Sequence, residues 1–270
     1  MKKMHAAGFL SLTCFLAWDS AAHAASLSEE TPQSAAAAPP SHSSSLLSAK
    51  QLDEMWENRE SIESQRQIYK TILDTRSPPT QFEEAWRLSR MVYFVGNFGI
   101  GLSLARDQKL KLFDSGVQWG QKALQLQPER VEGYYWYAVN LGAYGSTKGM
   151  MSALGSATQG RDALLKAASL DASYHWGGPY RILGRYYQQA PSVLSFGDKE
   201  VAEEYFKKAI SLAPSFRLNT FYLASLKQET GDKEGAKILL EKAKSMAGQE
   251  GALEEERYQN QIKSALDAVK

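Results

Sequence analysis

"TFYLASLKQETGDKEGAKILLEKAKSM", residues 220–246, places Leu223 and Ala224 before a turn at Gly231, and Ala236, Leu240 and Ala243 after it. On a helix of 3.6 residues per turn the last three share one face, two small residues flanking a bulky one. Small positions let two antiparallel helices approach, and the bulky one fills the gap between them. That is the tetratricopeptide (TPR) pattern.

The trio recurs upstream as Ala202, Phe206 and Ala209 with Pro214 beyond it, as Gly160, Leu164 and Ala167, and as Gly116, Gly120 and Ala123 with Pro128 beyond it. The last members of the four trios are spaced by 44, 42 and 34 residues in chain order, against about 34 for this repeat. The surplus predicts long intra-repeat loops at 144–160, "YGSTKGMMSALGSATQG", and 188–200, "QQAPSVLSFGDKE", where Gly, Ser and Pro mark irregular backbone. Both would emerge at one end of the stack, where insertions often mark a binding face, although tolerated loop drift explains them equally well.

Upstream, Leu52, Met55, Trp56, Ile62, Ile68, Tyr69 and Ile72 predict one long helix or a broken pair ending before Ser77-Pro78-Pro79, and Phe82, Trp86, Leu88, Val92 and Phe94 a further helix. Downstream, Tyr258, Ile262, Leu266 and Val269 form a stripe on an otherwise charged helix, as expected of a cap. The fold class is all-α: a tetratricopeptide-like helical-hairpin solenoid with long intra-repeat loops and a C-terminal capping helix. It spans residues 48–270, with the best repeats at 114–247.

The first 24 residues carry Lys2 and Lys3, an apolar run to Trp18 and the small-x-small triplet Ala22-His23-Ala24, the layout of a secretory signal peptide. Residues 25–47, rich in Ala, Ser and Pro, read as a flexible tether. A periplasmic or secreted location follows; the alternative is a lipoprotein anchored through Cys14, the single cysteine. Loss of Lys2, Lys3 and Asp19 leaves 29 basic and 29 acidic residues. Such balance argues against nucleic acid as a partner, since phosphate binding needs a net basic face.

"EGYYWYAVNLGAYG", residues 132–145, holds four consecutive aromatics. Helical periodicity assigns Tyr134, Tyr137, Ala138 and Leu141 to the core, Tyr135 and Val139 to the inner groove, and Trp136 with Asn140 elsewhere. In "GGPYRILGRYY" Arg181 and Arg185 fall one turn apart on the groove side, and Phe221 and Ser225 take the corresponding places in the next unit. Tyr135, Val139, Arg181, Arg185, Phe221 and Ser225 thus outline a groove with apolar walls and a cationic spot, suited to a carboxylate or an acidic helix. Pairing of the two arginines with acids of neighbouring helices is the structural alternative.

"GYYWYAVNLGAYG", "GGPYRILGRYY", "APSVLSFGDKEVAEEYFKKAISLAPSFRLN" and "FYLASLKQETGDKEGAKILLEKAK" resemble the TatT-like family, TPR proteins of the bacterial envelope that accompany TRAP transporter substrate-binding proteins. More distantly they resemble the regulator of microtubule dynamics family. The first resemblance implies an envelope protein partner, a periplasmic solute-binding protein.

Catalytic and metal sets are thin. His5 and His23 lie in the signal and His42 in the tether, leaving His175 alone in the folded body, where packing or turn structure is its expected role. "GSTKG", 145–149, has phosphate-loop letters in the wrong order. The acidic pairs Glu83-Glu84, Glu203-Glu204 and Glu254-Glu255-Glu256 read as solvated surface. The sequence therefore predicts no enzyme, no cofactor and no metal site, but a protein-binding scaffold. A small organic ligand in the groove is the alternative, and self-association stays open.

Overall fold

The structure is a computed structural model that describes residues 47–75 and 77–269. The predicted signal, Cys14 and the predicted tether up to residue 46 lie outside the described residues. Among the described residues the chain forms α1 (Ala49–Glu57), α2 (Ile62–Asp74), α3 (Phe82–Asn97), a 3-10 turn (Gly99–Ser103), α4 (Arg106–Leu126), α5 (Val131–Lys148), α6 (Met150–Leu170), α7 (Tyr174–Gln189), α8 (Lys199–Leu212), α9 (Arg217–Glu229), α10 (Lys233–Ser245) and α11 (Ala252–Ala268). No strand occurs among them. None of these helices is long and apolar enough to cross a membrane.

Helices α3/α4, α5/α6, α7/α8 and α9/α10 form four hairpins whose second members carry the trios, small-bulky-small in α6, α8 and α10 and all small in α4, and every residue of those trios is buried. Local chemistry sets the starts. Asp198 accepts from the backbone N–H of Glu200 and Val201 to open α8, and Asp232 accepts from Gly235 to open α10, satisfying donors that have no intrahelical partner. The predicted stretch before Ser77 is a broken pair, α1 and α2, each opened by a serine cap.

Close approach is strictest between α4 and α5, where a Cβ built on Gly120 would lie 2.6 Å from Tyr137 Cα. Backbone cannot step aside as a side chain can, so Gly120→Ala is expected to destabilise by roughly 1–2 kcal/mol despite its better helix propensity. Urea unfolding followed by circular dichroism measures this. A neutral or stabilising result would contradict the packing described.

Two expectations are corrected. The 144–160 segment is not a loop: α5 runs on to Lys148, α6 begins at Met150, and Gly149 alone makes the turn with φ +118°. The surplus residues lengthen both helices, because Met, Ala, Leu and Ser sustain a helix and only a glycine takes the left-handed corner at low cost. The second insertion is irregular backbone between α7 and α8. The aromatics of α5 are also inverted: Tyr135 and Trp136 are each 2% exposed, while Tyr134 and Tyr137 are half-buried. Helix α5 is surrounded, so it has no single core face. Asn140, fully buried, donates to Ser89 O at 2.9 Å and Ser89 Oγ at 3.1 Å on α3, and Tyr186 on α7 donates to Ala138 O at 3.0 Å.

Helix α11 packs its second half on α10 through Ile262, Leu266 and Val269, as a cap should. Its first half does something else. Arg59 Nε meets Glu254 Oε1 at 3.0 Å, Leu253 N donates to Glu60 Oε2 at 3.0 Å, and Phe98 and Tyr258 rings lie edge to face at 6.4 Å. Residues 246–258 therefore run back to the α1–α2 connection and the end of α3.

Candidate functional site

Asp171 Oδ1 accepts from the backbone N–H of Ser173 and Tyr174 and from Ser173 Oγ, folding the chain tightly after α6. His175 (φ 50°, ψ 48°), Trp176 (57°, 50°) and Gly177 (74°, 23°) then make one left-handed turn, and the right-handed part of α7 starts beyond it. For the two non-glycine residues this conformation costs about 1–2 kcal/mol each, so surrounding contacts must hold it.

Arg181 is the principal support. Its side chain is buried; Nη1 donates to His175 O (3.1 Å), Trp176 O (3.2 Å) and Asn219 Oδ1 (3.1 Å), and Nη2 to Tyr135 OH (3.2 Å) and His175 Nδ1 (3.0 Å). Asn219 Nδ2 adds a bond to Trp176 O at 3.1 Å. The guanidinium lies over the Phe216 ring at 4.8 Å, and Trp176 stacks on that ring at 4.9 Å. Because Nδ1 accepts from Arg181, the neutral ring carries its proton on Nε2, and Nε2 faces Glu250 Oε1 at 3.5 Å.

Glu250 connects this cluster to the returning segment. Tyr258 OH donates to Glu250 Oε2 at 2.7 Å, Gln249 N and Glu250 N donate to Glu255 Oε1 at 2.9 and 3.2 Å, and Glu255 Oε2 pairs with Arg217 Nε at 3.0 Å. Arg217 also donates to Met246 O, and Gln249 Nε2 to Ser215 Oγ at 2.7 Å. Residues on α3, α7 and α9, first helices of their hairpins, thus hold the segment, with Tyr135 of α5 behind His175. The inner face of the stack carries a strap made of the chain itself.

Burial governs the titration. It pushes His175 well below the ordinary imidazole range, aided by Arg181 and Arg90, so the ring stays neutral. It pushes the Glu250 carboxyl up and that of Glu254 up to about 7, outweighing the Arg59 guanidinium beside the latter. The Tyr135 hydroxyl is pushed up to about 12. Among the described residues no group of three His, Cys, Asp or Glu side chains is placed to hold a metal ion.

Of the six groove residues read from the sequence, Tyr135 and Arg181 meet in this cluster. Val139 and Arg185 line a cleft with Tyr93, Tyr186 and Tyr222, of about 20 Å³, room for a water molecule. Arg185 Nη1 donates to Gln188 Oε1 at 2.8 Å and its guanidinium lies over Tyr222 at 4.8 Å. Phe221 and Ser225 are half-buried on α9, with Phe221 turned to the α10 and α11 cluster. The inner face is therefore covered at Tyr135 and Arg181 rather than open.

The acidic runs are corrected in part. Glu84 and Glu254 are buried and Glu83, Glu203 and Glu255 half-buried, while Glu204 and Glu256 are exposed. Glu250, Glu254, Glu255, Arg59, Arg217 and Asn219 were not legible as site residues. One signal existed: 250, 254, 258, 262 and 266 continue a single four-residue register, so Glu254 shares the face of the apolar stripe.

A thermophilic TPR protein of Thermus thermophilus has a similar fold, with a TM-score of 0.58 and 17% identity over 81% of this chain and 99% of that one. Two MamA structures align at TM-scores of 0.42 and 0.41, each with 20% identity, over 72% and 77% of this chain and 89% and 96% of theirs. No curated protein matches the sequence significantly. The model of the regulator of microtubule dynamics protein 1-3 family matches residues 48–203, more than half the chain and the second of the two likenesses drawn from its motifs, and the protein belongs to that family.

Proposed function

We propose that the protein is a non-enzymatic TPR-type scaffold of the bacterial cell envelope that binds a partner protein along the inner face of its hairpin stack, as an accessory beside a TRAP-type periplasmic solute-binding protein. The observation that supports the binding role is that a segment of the chain itself, residues 246–258, packs on this face through His175 and Arg217 and on the neighbouring α1–α2 connection through Arg59 and Glu60. Tyr135, Val139, Arg181, Arg185, Phe221 and Ser225 belong to the first helices that build this face. The export signal and tether read from the sequence support the envelope location, and the motifs shared with TatT-like proteins support the transporter association.

The acids and bases of the cluster are engaged with one another, which favours binding over turnover. A small-molecule site is the second reading, and the cleft at Val139 and Arg185 is where it would be. At about 20 Å³ that cleft is far below the several hundred Å³ of an ordinary ligand site.

Crosslinked pull-down of residues 25–270 from envelope extract, with native mass spectrometry, is expected to yield a stoichiometric protein partner. A solute-binding protein would support the transporter association. A retained small molecule without a protein would overturn the scaffold reading.

A further inference from the structure

Resting on the scaffold reading, we propose that residues 246–258 are a displaceable occupant of the inner groove, and that the vacated groove receives an acidic, aromatic-bearing segment of a partner protein. The cis occupant defines the chemistry. Its sequence, "MAGQEGALEEERY", presents Glu250, Glu254 and Glu255 to His175, Arg59 and Arg217, and Tyr258 to Phe98. The groove side of those pairs is cationic or imidazole on three separate elements, so a partner segment would need carboxylates in the same order and an aromatic after them.

Detachment is built into the contacts. Residues 246–251 are irregular backbone, held mainly by polar groups, whereas the apolar anchor Ile262, Leu266 and Val269 keeps the rest of α11 on α10. Buried ion pairs specify register more than they stabilise, because desolvation offsets much of their attraction. The strap can thus leave while the cap stays. Beneath it, Arg217 Nη1 and Arg181 Nε are buried nitrogens without a hydrogen-bond partner, donors that a different acidic segment would engage.

The test uses the full chain and a fluorescein-labelled peptide of residues 246–258 as probe, read by anisotropy. In Glu250→Lys/Glu254→Lys the strap's acids facing His175 and Arg59 are reversed, which should free the groove. This variant is expected to bind the peptide about ten-fold or more tightly than the native chain does, in a 1:1 complex by native mass spectrometry. A peptide with Glu250, Glu254 and Glu255 replaced by lysine should not bind.

Equal affinity in native and variant chains, or binding of the reversed peptide, overturns the proposal. So does a native chain that dimerises through this segment, since a second copy's strap would then fill the groove. Hydrogen exchange on the native chain guards against a variant that fails to fold. The amides of Gln249, Glu250 and Leu253 should exchange about a hundred-fold faster than those within α9, and exchange only through global unfolding would equally sink the idea. Peptide binding without a protein in the pull-down would leave the groove intact and remove the scaffold reading; a partner captured equally by native and variant chains would do the reverse.

Discussion

Arg181→Met is expected to lower the unfolding free energy by about 3–5 kcal/mol, since several buried acceptors lose their donor at roughly 1–3 kcal/mol each. Methionine fills similar volume, so the loss is not a cavity effect. What disappears is the set of donors to His175 O, Trp176 O, Asn219 Oδ1, Tyr135 OH and His175 Nδ1. Asn219 still reaches Trp176 O, but His175 O, in a left-handed conformation, loses the donor that stabilises it. Against a typical domain stability of about 5–15 kcal/mol this is a large fraction. Arg181→Lys should fall between, because an ammonium cannot span the same acceptors from one position. Urea unfolding monitored by far-ultraviolet circular dichroism measures the loss, and the near-ultraviolet signal of Tyr135, Trp136 and Trp176 reports the turn. A loss below about 1 kcal/mol for the methionine variant would mean that the network is not what holds the turn.

The hairpins were legible in the sequence because their signal is local: Ala236, Leu240 and Ala243 lie within two helical turns, and close packing permits little but small residues at such contacts. Spacing also exposed the surplus residues upstream, but it could not distinguish a loop from longer helices. Gly149 settles that question in the structure by taking the whole turn itself. The aromatics of α5 misled for a related reason. An amphipathic template assumes one wet face, and a helix walled in by α3, α4, α6 and α7 has none, so Trp136 and Asn140 are as deep as Tyr135. The strap was out of reach. Its decisive pair, Arg59 and Glu254, is separated by 195 residues, and a glutamate-rich helix start ordinarily belongs in water. Only its register with Tyr258 and Ile262 spoke against that.

The strap's carboxylates make stability depend on pH in a direction opposite to that of an ordinary ion pair. Glu254 is faced by Arg59 from the α1–α2 connection, with Glu60 alongside and Glu250 on its own segment. Burial nevertheless raises its carboxyl from 4.5 to about 7. A folded-state pKa above the unfolded one means that the folded chain prefers the protonated form. The contribution is present below the unfolded pKa and is lost as pH rises through the folded one. Glu250, also raised, acts with the same sign.

His175 runs the other way. Its pKa is depressed below 6.5, so the folded chain resists protonation and stability is lost as pH falls below the unfolded value. The glutamates lose stability as pH rises from 4.5 towards 7 and His175 loses it as pH falls below 6.5, so the opposing contributions overlap between these values, and comparison with a variant separates them. Glu254→Gln mimics the protonated carboxyl and keeps an acceptor for Arg59. Relative to the native chain it should gain about 2 kcal/mol between pH 5 and pH 8, less than the full shift because titration is partial at both ends. His175 contributes equally to both proteins and cancels. Urea midpoints at pH 5, 6.5 and 8 give the difference directly. If the two curves run parallel, Glu254 is ionised throughout in the folded chain and Arg59 outweighs its burial; if they diverge as stated, the strap binds its groove more weakly as the pH rises.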